Sequence, residues 1–280
     1  MAFGPYESSR HGAVPIRLFK FNFGPLPEDE LRYTNADTDQ SFENKPYLRA
    51  AIKHGQIVAT TGTLDKSALE IRTTVDTELS ELFRIAPPSY TVTCQIFQGQ
   101  NGDVENQFLS TWGGRIVNAG WEGSELVLTG EPVVTSMRRP GLRRNYQKNC
   151  PHPLYDTELG SCRAPKIPLD VVCTAVYVQN TITVNTVGGD PEAYMNGSIE
   201  WVGPTGRRQI LSVRSASAAG VLLLAGTPVD LVAGTPMKLY KGCDHTMGPR
   251  GCAMHNNILN YGGQPWIPLT NPVNNISEFN

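Results

Sequence analysis

The residues with the clearest potential for chemistry are two cysteines near the end of the sequence. Cys243 and Cys252, with eight residues between them, lie in the segment MKLYKGCDHTMGPRGCAMHNNILNYGGQPWIPL (residues 237–269). Glycines and a proline keep the residues between the two cysteines from forming a helix, so both sulfurs can turn toward one point. This arrangement predicts either a bound metal or a disulfide.

A second pair of cysteines lies upstream, in the segment NCPHPLYDTELGSCRAPK (residues 149–166). Cys150 and Cys162 again flank a turn-rich stretch, here with two prolines and a glycine. We interpret the four cysteines as one set, because a link between such distant pairs would close a long loop and hold the C-terminal half together. The alternative is four buried thiols without a partner.

Whether the cysteines form disulfides or bind a metal depends on the compartment in which the chain folds. The first residues, MAFGPYESSRHG, contain no apolar segment of the kind found in signal peptides, and the longest apolar run, Val221–Ala225, is too short to cross a bilayer. We therefore expect a protein without a membrane-spanning segment that folds in a cytoplasm. Reducing conditions there disfavour structural disulfides and leave thiolates available to metals.

The spacing of the cysteines alone does not decide between a zinc ion and an iron–sulfur cluster. The four cysteines lack the C-x2-4-C spacing of zinc ribbons. Zinc still has one route, through a dense group of thiol and imidazole side chains: Cys243, His245, Cys252 and His255. That route gives the upstream pair no role, whereas a [4Fe-4S] cluster accepts four irregularly spaced cysteines, because each iron needs one thiolate.

The other two cysteines, Cys94 and Cys173, lie within alternating apolar segments that are typical of strands. Each is in phase with apolar neighbours. We interpret both as small buried hydrophobic residues and leave them out of the ligand set.

A basic run leads directly into Cys150. It covers residues 137–149, and its charged side chains are Arg138, Arg139, Arg143, Arg144 and Lys148. A solvated hinge is the common meaning of such a run, although positive charge beside thiolates also stabilises an anionic cluster. Arg163 and Lys166, just after Cys162, are candidates for the same role.

Composition favours a mainly β protein of more than one domain. The chain has 280 residues with 27 glycines and 21 prolines, and its apolar runs are short. We expect an extended arm (residues 1–43), a tube-like antiparallel β-sandwich or barrel (residues 44–148) and a β-rich domain held by its cysteines (residues 149–280).

Two short helices interrupt the predicted strands. Residues 45–54 have a proline near the first turn of a helical pattern. Residues 77–85 begin with an acidic first turn and with Thr77 as a possible N-cap.

Charge and motifs argue against two classes of function. The formal net charge of −2 gives no basis for a dedicated nucleic-acid-binding role, since such domains usually carry a strong basic excess. No GxSxG, HExxH, GxGxxG, P-loop or CxxC motif is present, and none of the five histidines falls in a catalytic signature. We therefore expect a protein that is not an enzyme.

The two cysteine segments together resemble the C-terminal region of a family of tail hub proteins from siphophages, Mu-like phages and gene transfer agents. The shared pattern begins with a cysteine before an aromatic-bearing loop and a second cysteine followed by a basic residue. A Gly-Cys-Asp step, a last cysteine and an Asn-Tyr-Gly-Gly-x-Pro ending complete it. The resemblance covers residues 149–269, while the N-terminal half resembles tail-tube domains more loosely.

This resemblance implies a homotrimeric baseplate hub at the virion tail tip, assembled in the host cytoplasm and similar in role to the lambda minor tail protein L. The hub joins the distal tail tube to the central tip or fibre. Its implied partners are the distal tail protein, the tail-tube and tape-measure proteins and a central tip or fibre-bearing hub protein, with DNA only in transit.

The resemblance also implies a [4Fe-4S] cluster in each subunit. Its ligands would be Cys150, Cys162, Cys243 and Cys252. Asp244 would fix its loop by accepting backbone N–H groups rather than bind iron. Asn260, Tyr261 and Gly262 would be structural.

Two other functions stand as hypotheses. A zinc-dependent metalloenzyme would hold a catalytic ion in the loop around Cys243 and His255 and cut cell-wall polymers near the tip. A recognition module would bind a glycan through Trp121, Trp201 and Trp266, although tryptophans are more often core residues.

Overall fold

The computed structural model describes residues 13–57, 68–103, 105–138 and 145–268. The chain divides into two compact units, Met1–Arg139 and Pro140–Asn280, called here unit 1 and unit 2. Strands dominate both units, so the prediction of a mainly β protein is confirmed. Within the described ranges, no helix is long and apolar enough to cross a bilayer.

Unit 1 contains nine strands and one α-helix in its described part. The strands are β1 (Pro15–Asn22), β2 (Glu30–Thr34), β3 (Gln40–Phe42), β4 (Lys45–Arg49), β5 (Ile52–His54), β6 (Leu69–Thr74), β7 (Thr93–Gln100), β8 (Leu109–Glu122) and β9 (Glu125–Pro132). Helix α1 (Glu78–Leu82) lies between β6 and β7, inside the predicted range 77–85. A 3-10 helix (Val133–Arg138) follows β9.

The nine strands form one sheet in the order β3-β4-β2-β1-β7-β8-β9-β6-β5. Neighbours pair antiparallel except β2 and β4, which are parallel. β4 and β5 lie near opposite ends of this order, yet only Ala50 and Ala51 separate them in the chain, a reach of at most about 11 Å. The sheet therefore curls until its two sides approach each other, which is close to the predicted barrel.

The curled sheet encloses the core of unit 1. Alternate residues of β6, β7 and β9 point into it, among them Ile71, Ile96 and Leu128. Cys94 on β7 belongs to this core and is fully buried. Its interpretation as a buried hydrophobic residue is confirmed.

Helix α1 packs its apolar face on the same core through Leu79 and Leu82. Thr77 is its N-cap, as predicted, because its Oγ1 accepts the Ser80 N–H at 3.2 Å. The same N–H also donates to the Thr77 carbonyl at 2.9 Å, so the main chain and the side chain of Thr77 together cap the first helical turn.

The structure corrects two expectations for the N-terminal part of unit 1. The sequence predicts an arm over residues 1–43, but in the described part β1 pairs along its whole length with β7 and also pairs with β2. Residues 45–54 form β4 and β5 rather than a helix. Tyr47 is buried there, and strand pairing with Gln40 on β3 overrides the local helical pattern.

Unit 2 is a six-stranded closed barrel with cysteine-bearing segments before and after it. The strands are β10 (Pro168–Tyr177), β11 (Thr181–Val184), β12 (Ser198–Val202), β13 (Arg208–Ala216), β14 (Val221–Leu224) and β15 (Pro236–Tyr240). Their order around the barrel is β10-β11-β14-β13-β12-β15, and all neighbours are antiparallel. Three 3-10 helices lie outside the strands: Pro191–Tyr194, Cys252–His255 and Ile258–Asn260.

The barrel encloses a second core, separate from that of unit 1. Ile182, Ile199, Leu222 and Leu239 are fully buried in it. Cys173 on β10 joins them with 1% exposure, which confirms that it is a core residue.

Candidate metal centre

The closing seam of the barrel brings the two cysteine segments to the same end of unit 2. Pro168 at the start of β10 lies opposite Tyr240 at the end of β15. Cys162 precedes this pair in the chain and Cys243 follows it. The strands of the barrel thus lie between the two segments in the sequence, and pairing of the first and last strands brings the segments together in space.

Hydrogen bonds join the two segments beyond the seam. The Cys150 N–H donates to the His245 carbonyl at 2.8 Å, and the Asn257 side-chain amide donates to the Cys162 carbonyl. Each upstream cysteine is thus hydrogen-bonded to a residue shortly after a downstream cysteine: His245 is two residues after Cys243, and Asn257 is five residues after Cys252. The two predicted pairs belong to one folded region.

All four thiols are buried and free of disulfides. Their exposures are 7% for Cys150, 8% for Cys162, 7% for Cys243 and 4% for Cys252. Burial, followed by the charges of the other three cysteines, raises the pKa of Cys252 to about 11. The charges of the other three cysteines thus act on Cys252, and a buried group of thiolates needs a cation to stay ionised.

Three of the sulfurs accept N–H hydrogen bonds. Gly262 N donates to Cys150 Sγ at 3.4 Å, and His245 N donates to Cys243 Sγ at 3.3 Å. Asn257 Nδ2 lies 3.6 Å from Cys162 Sγ. Such donors stabilise sulfur in its anionic form and are typical of the surroundings of metal-bound thiolates.

Asp244 holds the downstream loop rather than pointing to the sulfurs as a ligand. Its Oδ1 accepts the Thr246 N–H at 2.9 Å and the Thr246 hydroxyl at 2.8 Å. The predicted role of Asp244 in accepting a backbone N–H group is confirmed. Gly251 packs against the same turn, where an added Cβ would lie 2.0 Å from the Thr246 carbonyl.

Tyr155 and Tyr261 link the two cysteine segments by hydrogen bonds. The Tyr155 hydroxyl donates to the Lys241 carbonyl at 2.7 Å, and its ring meets His255 edge to face. The Tyr261 hydroxyl donates to the Lys148 carbonyl. The pKa values of both tyrosines are raised, first by burial and then by the charges of cysteines in the two segments.

The donor set is four thiols free of disulfides, the number and kind of ligands that a [4Fe-4S] cluster takes. Among residues in the described part of the chain, no three His, Cys, Asp or Glu side chains converge on one ion position. Thiolates around one zinc ion would lie about 4 Å apart, because tetrahedral Zn–S bonds are about 2.3 Å long. A cube that binds each thiolate through a different iron holds them farther apart.

Two contacts fix the orientation of the His255 ring. His255 Nε2 donates a hydrogen bond to the Gly242 carbonyl at 2.8 Å. The ring also packs against Tyr155. A hydrogen bond from one ring nitrogen to a backbone carbonyl leaves the other nitrogen as the potential metal ligand.

The basic residues near the cysteines do not all have the predicted role. Arg139, Arg143 and Arg144 lie outside the described residues. Lys166 pairs with Glu200 at 2.5 Å and lies 4.3 Å from the centre of the Tyr240 ring. Its charge is thus neutralised on the barrel wall.

Trp201 is buried and cannot belong to the predicted glycan-binding platform. Trp201 is a core residue of the barrel, and its indole N–H donates to the Val229 carbonyl at 3.2 Å. Trp266 is 92% exposed on unit 2, while Trp121 is partly exposed on β8 of unit 1.

Asn257 and Tyr155 are the site residues that sequence reasoning did not select. Their partners lie 95 and 86 residues away in the chain, so no local pattern relates them. The one available signal was the run of amides in HNNILN directly after Cys252, since buried amides commonly donate to fixed acceptors.

Comparisons with known proteins give a family match for part of the chain and fold matches to solved structures. Residues 192–271 match a family model described as phage conserved hypothetical protein BR0599. The whole chain is similar in fold to a chain in a solved structure of the virion of a native gene transfer agent particle, with a TM-score of 0.76 and 15% sequence identity. That match covers 96% of this chain and 95% of the other. The comparison with curated proteins finds no match.

Proposed function

We propose that the chain is a structural protein of a phage or gene transfer agent virion, in which a homotrimer forms a baseplate hub ring at the tail tip. The observation that carries this proposal is the fold similarity to a gene transfer agent virion chain over 96% of this chain. A match of that extent includes both units rather than one common β-barrel. The ring joins the distal tail tube to the central tip or fibre and lets DNA pass.

The phage family match supports the same role. It covers β12–β15 and reaches beyond Cys252, so it includes the downstream cysteine segment. The second half of the hub-like motif, from the Gly-Cys-Asp step to the Asn-Tyr-Gly-Gly-x-Pro ending, lies in the same region. The partners under this proposal are the distal tail protein, the tube and tape-measure proteins and a central tip protein, and no reaction is assigned to the chain.

The four cysteines are assigned to one [4Fe-4S] cluster. When bound, the cluster would supply iron–sulfur bonds that link the two segments covalently. The chain's own part is to bury the thiols, to aim N–H groups at three of them and to hold both segments at the barrel seam. The loops need such a link because large apolar side chains on them are exposed, with Leu159 at 95% and Leu259 at 101%.

The cluster is tested on protein purified without oxygen. Wild-type protein is expected to be brown and to contain about four irons and four acid-labile sulfides per chain. Cys243→Ala is expected to lose the colour and most of the iron. The matched control, Cys173→Ala, removes a buried thiol from the barrel core and is expected to keep both. Colourless wild-type protein with stoichiometric zinc would contradict the cluster.

The hub role is tested separately. Light scattering is expected to give a mass three times the 30.6 kDa of the chain. Antibody-labelled virions are expected to carry the label at the distal end of the tail in electron micrographs. Label confined to the capsid, or purified virions without this chain, would overturn the assigned position whatever the iron content.

A further inference from the structure

The Asn257 side chain lies at the junction of the two cysteine segments. It is 7% exposed, and its Nδ2 contacts both the carbonyl oxygen and the Sγ of Cys162. Its main-chain N–H donates to the Cys252 carbonyl at 2.9 Å. One residue therefore contacts a cysteine from each pair.

The orientation of the Asn257 amide is fixed by its partners. A carbonyl oxygen only accepts hydrogen bonds, so the group facing the Cys162 carbonyl must be the NH2 end. The other end, Oδ1, accepts a hydrogen bond from Asn260 Nδ2 at 2.7 Å. Hydrogen bonds to the Cys162 carbonyl and from Asn260 thus fix the Asn257 NH2 group beside the Cys162 sulfur.

Asn257 differs from the other donors to cysteine sulfur. Cys150 and Cys243 receive backbone N–H groups, from Gly262 and His245. A backbone donor survives most substitutions, whereas the Asn257 donor is lost when its side chain changes. The hydrogen bonding of the Cys162 sulfur therefore depends on which side chain stands at position 257.

We infer that Asn257 is a positioning residue that orients Cys162 and sets the electron density on its sulfur, and so sets the reduction potential of the cluster. This inference rests on the proposed cluster. A hydrogen bond to a ligating sulfur withdraws electron density and favours the reduced cluster. Loss of the donor therefore moves the midpoint potential to more negative values.

The test uses the full chain with its cluster. Asn257→Asp has nearly the same shape but replaces the N–H donor with a carboxylate, and Asn257→Leu removes the donor without adding charge. Asn256→Asp is the matched control, since Asn256 is the adjacent, exposed amide in a left-handed conformation that aspartate tolerates. Redox titration and competition with an iron chelator are measured for each.

Both Asn257 variants are expected to have midpoint potentials more negative than wild type, with Asn257→Asp shifted further. Resistance to the chelator is expected to fall about 10- to 100-fold, the usual cost of losing a residue that supports a metal ligand. Asn256→Asp is expected to match wild type in both measurements. Asn260→Ala, which frees the amide without removing it, is expected to give a smaller shift in the same direction.

Two outcomes overturn the inference. Loss of chelator resistance with an unchanged midpoint potential would make Asn257 a purely structural residue. An equal shift in Asn256→Asp would assign the effect to charge alone. Wild-type protein without iron and sulfide would instead remove the proposed cluster and this inference together, so the two failures are distinguishable.

Discussion

Glycines set how closely the chain can approach itself around the four cysteines. Gly242 directly precedes Cys243, and its N–H donates to the Ala193 carbonyl at 2.8 Å. A Cβ at Gly242 would lie 1.7 Å from the Met195 carbonyl oxygen and 2.7 Å from Gly197 N. Both neighbours are main-chain atoms, so neither can rotate away.

Gly242→Ala is expected to lower the free energy of unfolding of unit 2 by about 1–3 kcal/mol, because the main chain must shift to admit the methyl group. Denaturant unfolding measures the loss. Gly189→Ala is the control, since nothing lies within 4 Å of an added Cβ there, and it is expected to change stability by less than about 0.5 kcal/mol. Equal effects of the two substitutions would contradict the packing argument.

Residue types predicted part of the candidate centre. Cys94 and Cys173 alternate with apolar neighbours, and that local pattern identified them as core residues. The role of Asp244, which the resemblance implied, is fulfilled within its own loop, because its main partner is Thr246, two residues away. Asn257 was not predicted, since the Cys162 atoms that it contacts are brought to it only by closure of the barrel.

At the scale of elements, the sequence predicted the alternating strands correctly, but it predicted an arm and a helix in the N-terminal part, where the structure has strands. Alternation gives each strand of the barrel an inner and an outer face, which is a local property. The segment KPYLRAAIKH has alanines and a helical spacing, but it forms β4 and β5 because β2 and β6 offer open edges to them. Pairing with distant strands is not encoded in local propensity.

Helix α1 has only five residues, so its cap is a large part of its stability. Thr77→Ala is expected to destabilise unit 1 by about 1 kcal/mol, because the Ser80 N–H loses its side-chain acceptor and keeps only the Thr77 carbonyl. Thr77→Ser keeps the hydroxyl and is expected to stay close to wild type. Denaturant unfolding that ranks the two variants equally would argue against the cap.

Three cations on neighbouring strands surround one carboxylate in the sheet of unit 1. Lys20 Nζ on β1 and Lys45 Nζ on β4 each lie 3.4 Å from an oxygen of Glu30, and Arg32 also pairs with it. Burial alone would raise the pKa of Glu30, but Arg32 and the lysines outweigh it and hold the pKa below its usual 4.5.

A carboxyl with a lowered folded-state pKa stabilises the fold above its unfolded-state pKa, and this contribution is lost as the pH falls through the folded-state value. The free energy of unfolding of unit 1 is therefore expected to fall as the pH drops below 4.5. Glu30→Gln is expected to be less stable at neutral pH and to show a flatter acid dependence. Glu28→Gln, at an exposed position before β2, is the control in the same pH series of unfolding curves.

At the scale of the whole molecule, two separate cores predict two local stabilities. Leu128→Ala in unit 1 is expected to cost about 2–5 kcal/mol and to speed hydrogen exchange in β6 and β7. Leu222→Ala in unit 2 is expected to speed exchange in β11 and β13 instead. A uniform response of both units to either substitution would mean that they unfold as one.

The barrel seam also dictates an order of biogenesis. Cys150 and Cys162 leave the ribosome first, but Cys243 and Cys252 follow only after all six barrel strands have been translated. In a nascent chain, Cys150 and Cys162 are therefore separated from the other two cysteines until β15 has been synthesised and has paired with β10. Any group that needs all four sulfurs can therefore bind only after the barrel strands have been synthesised.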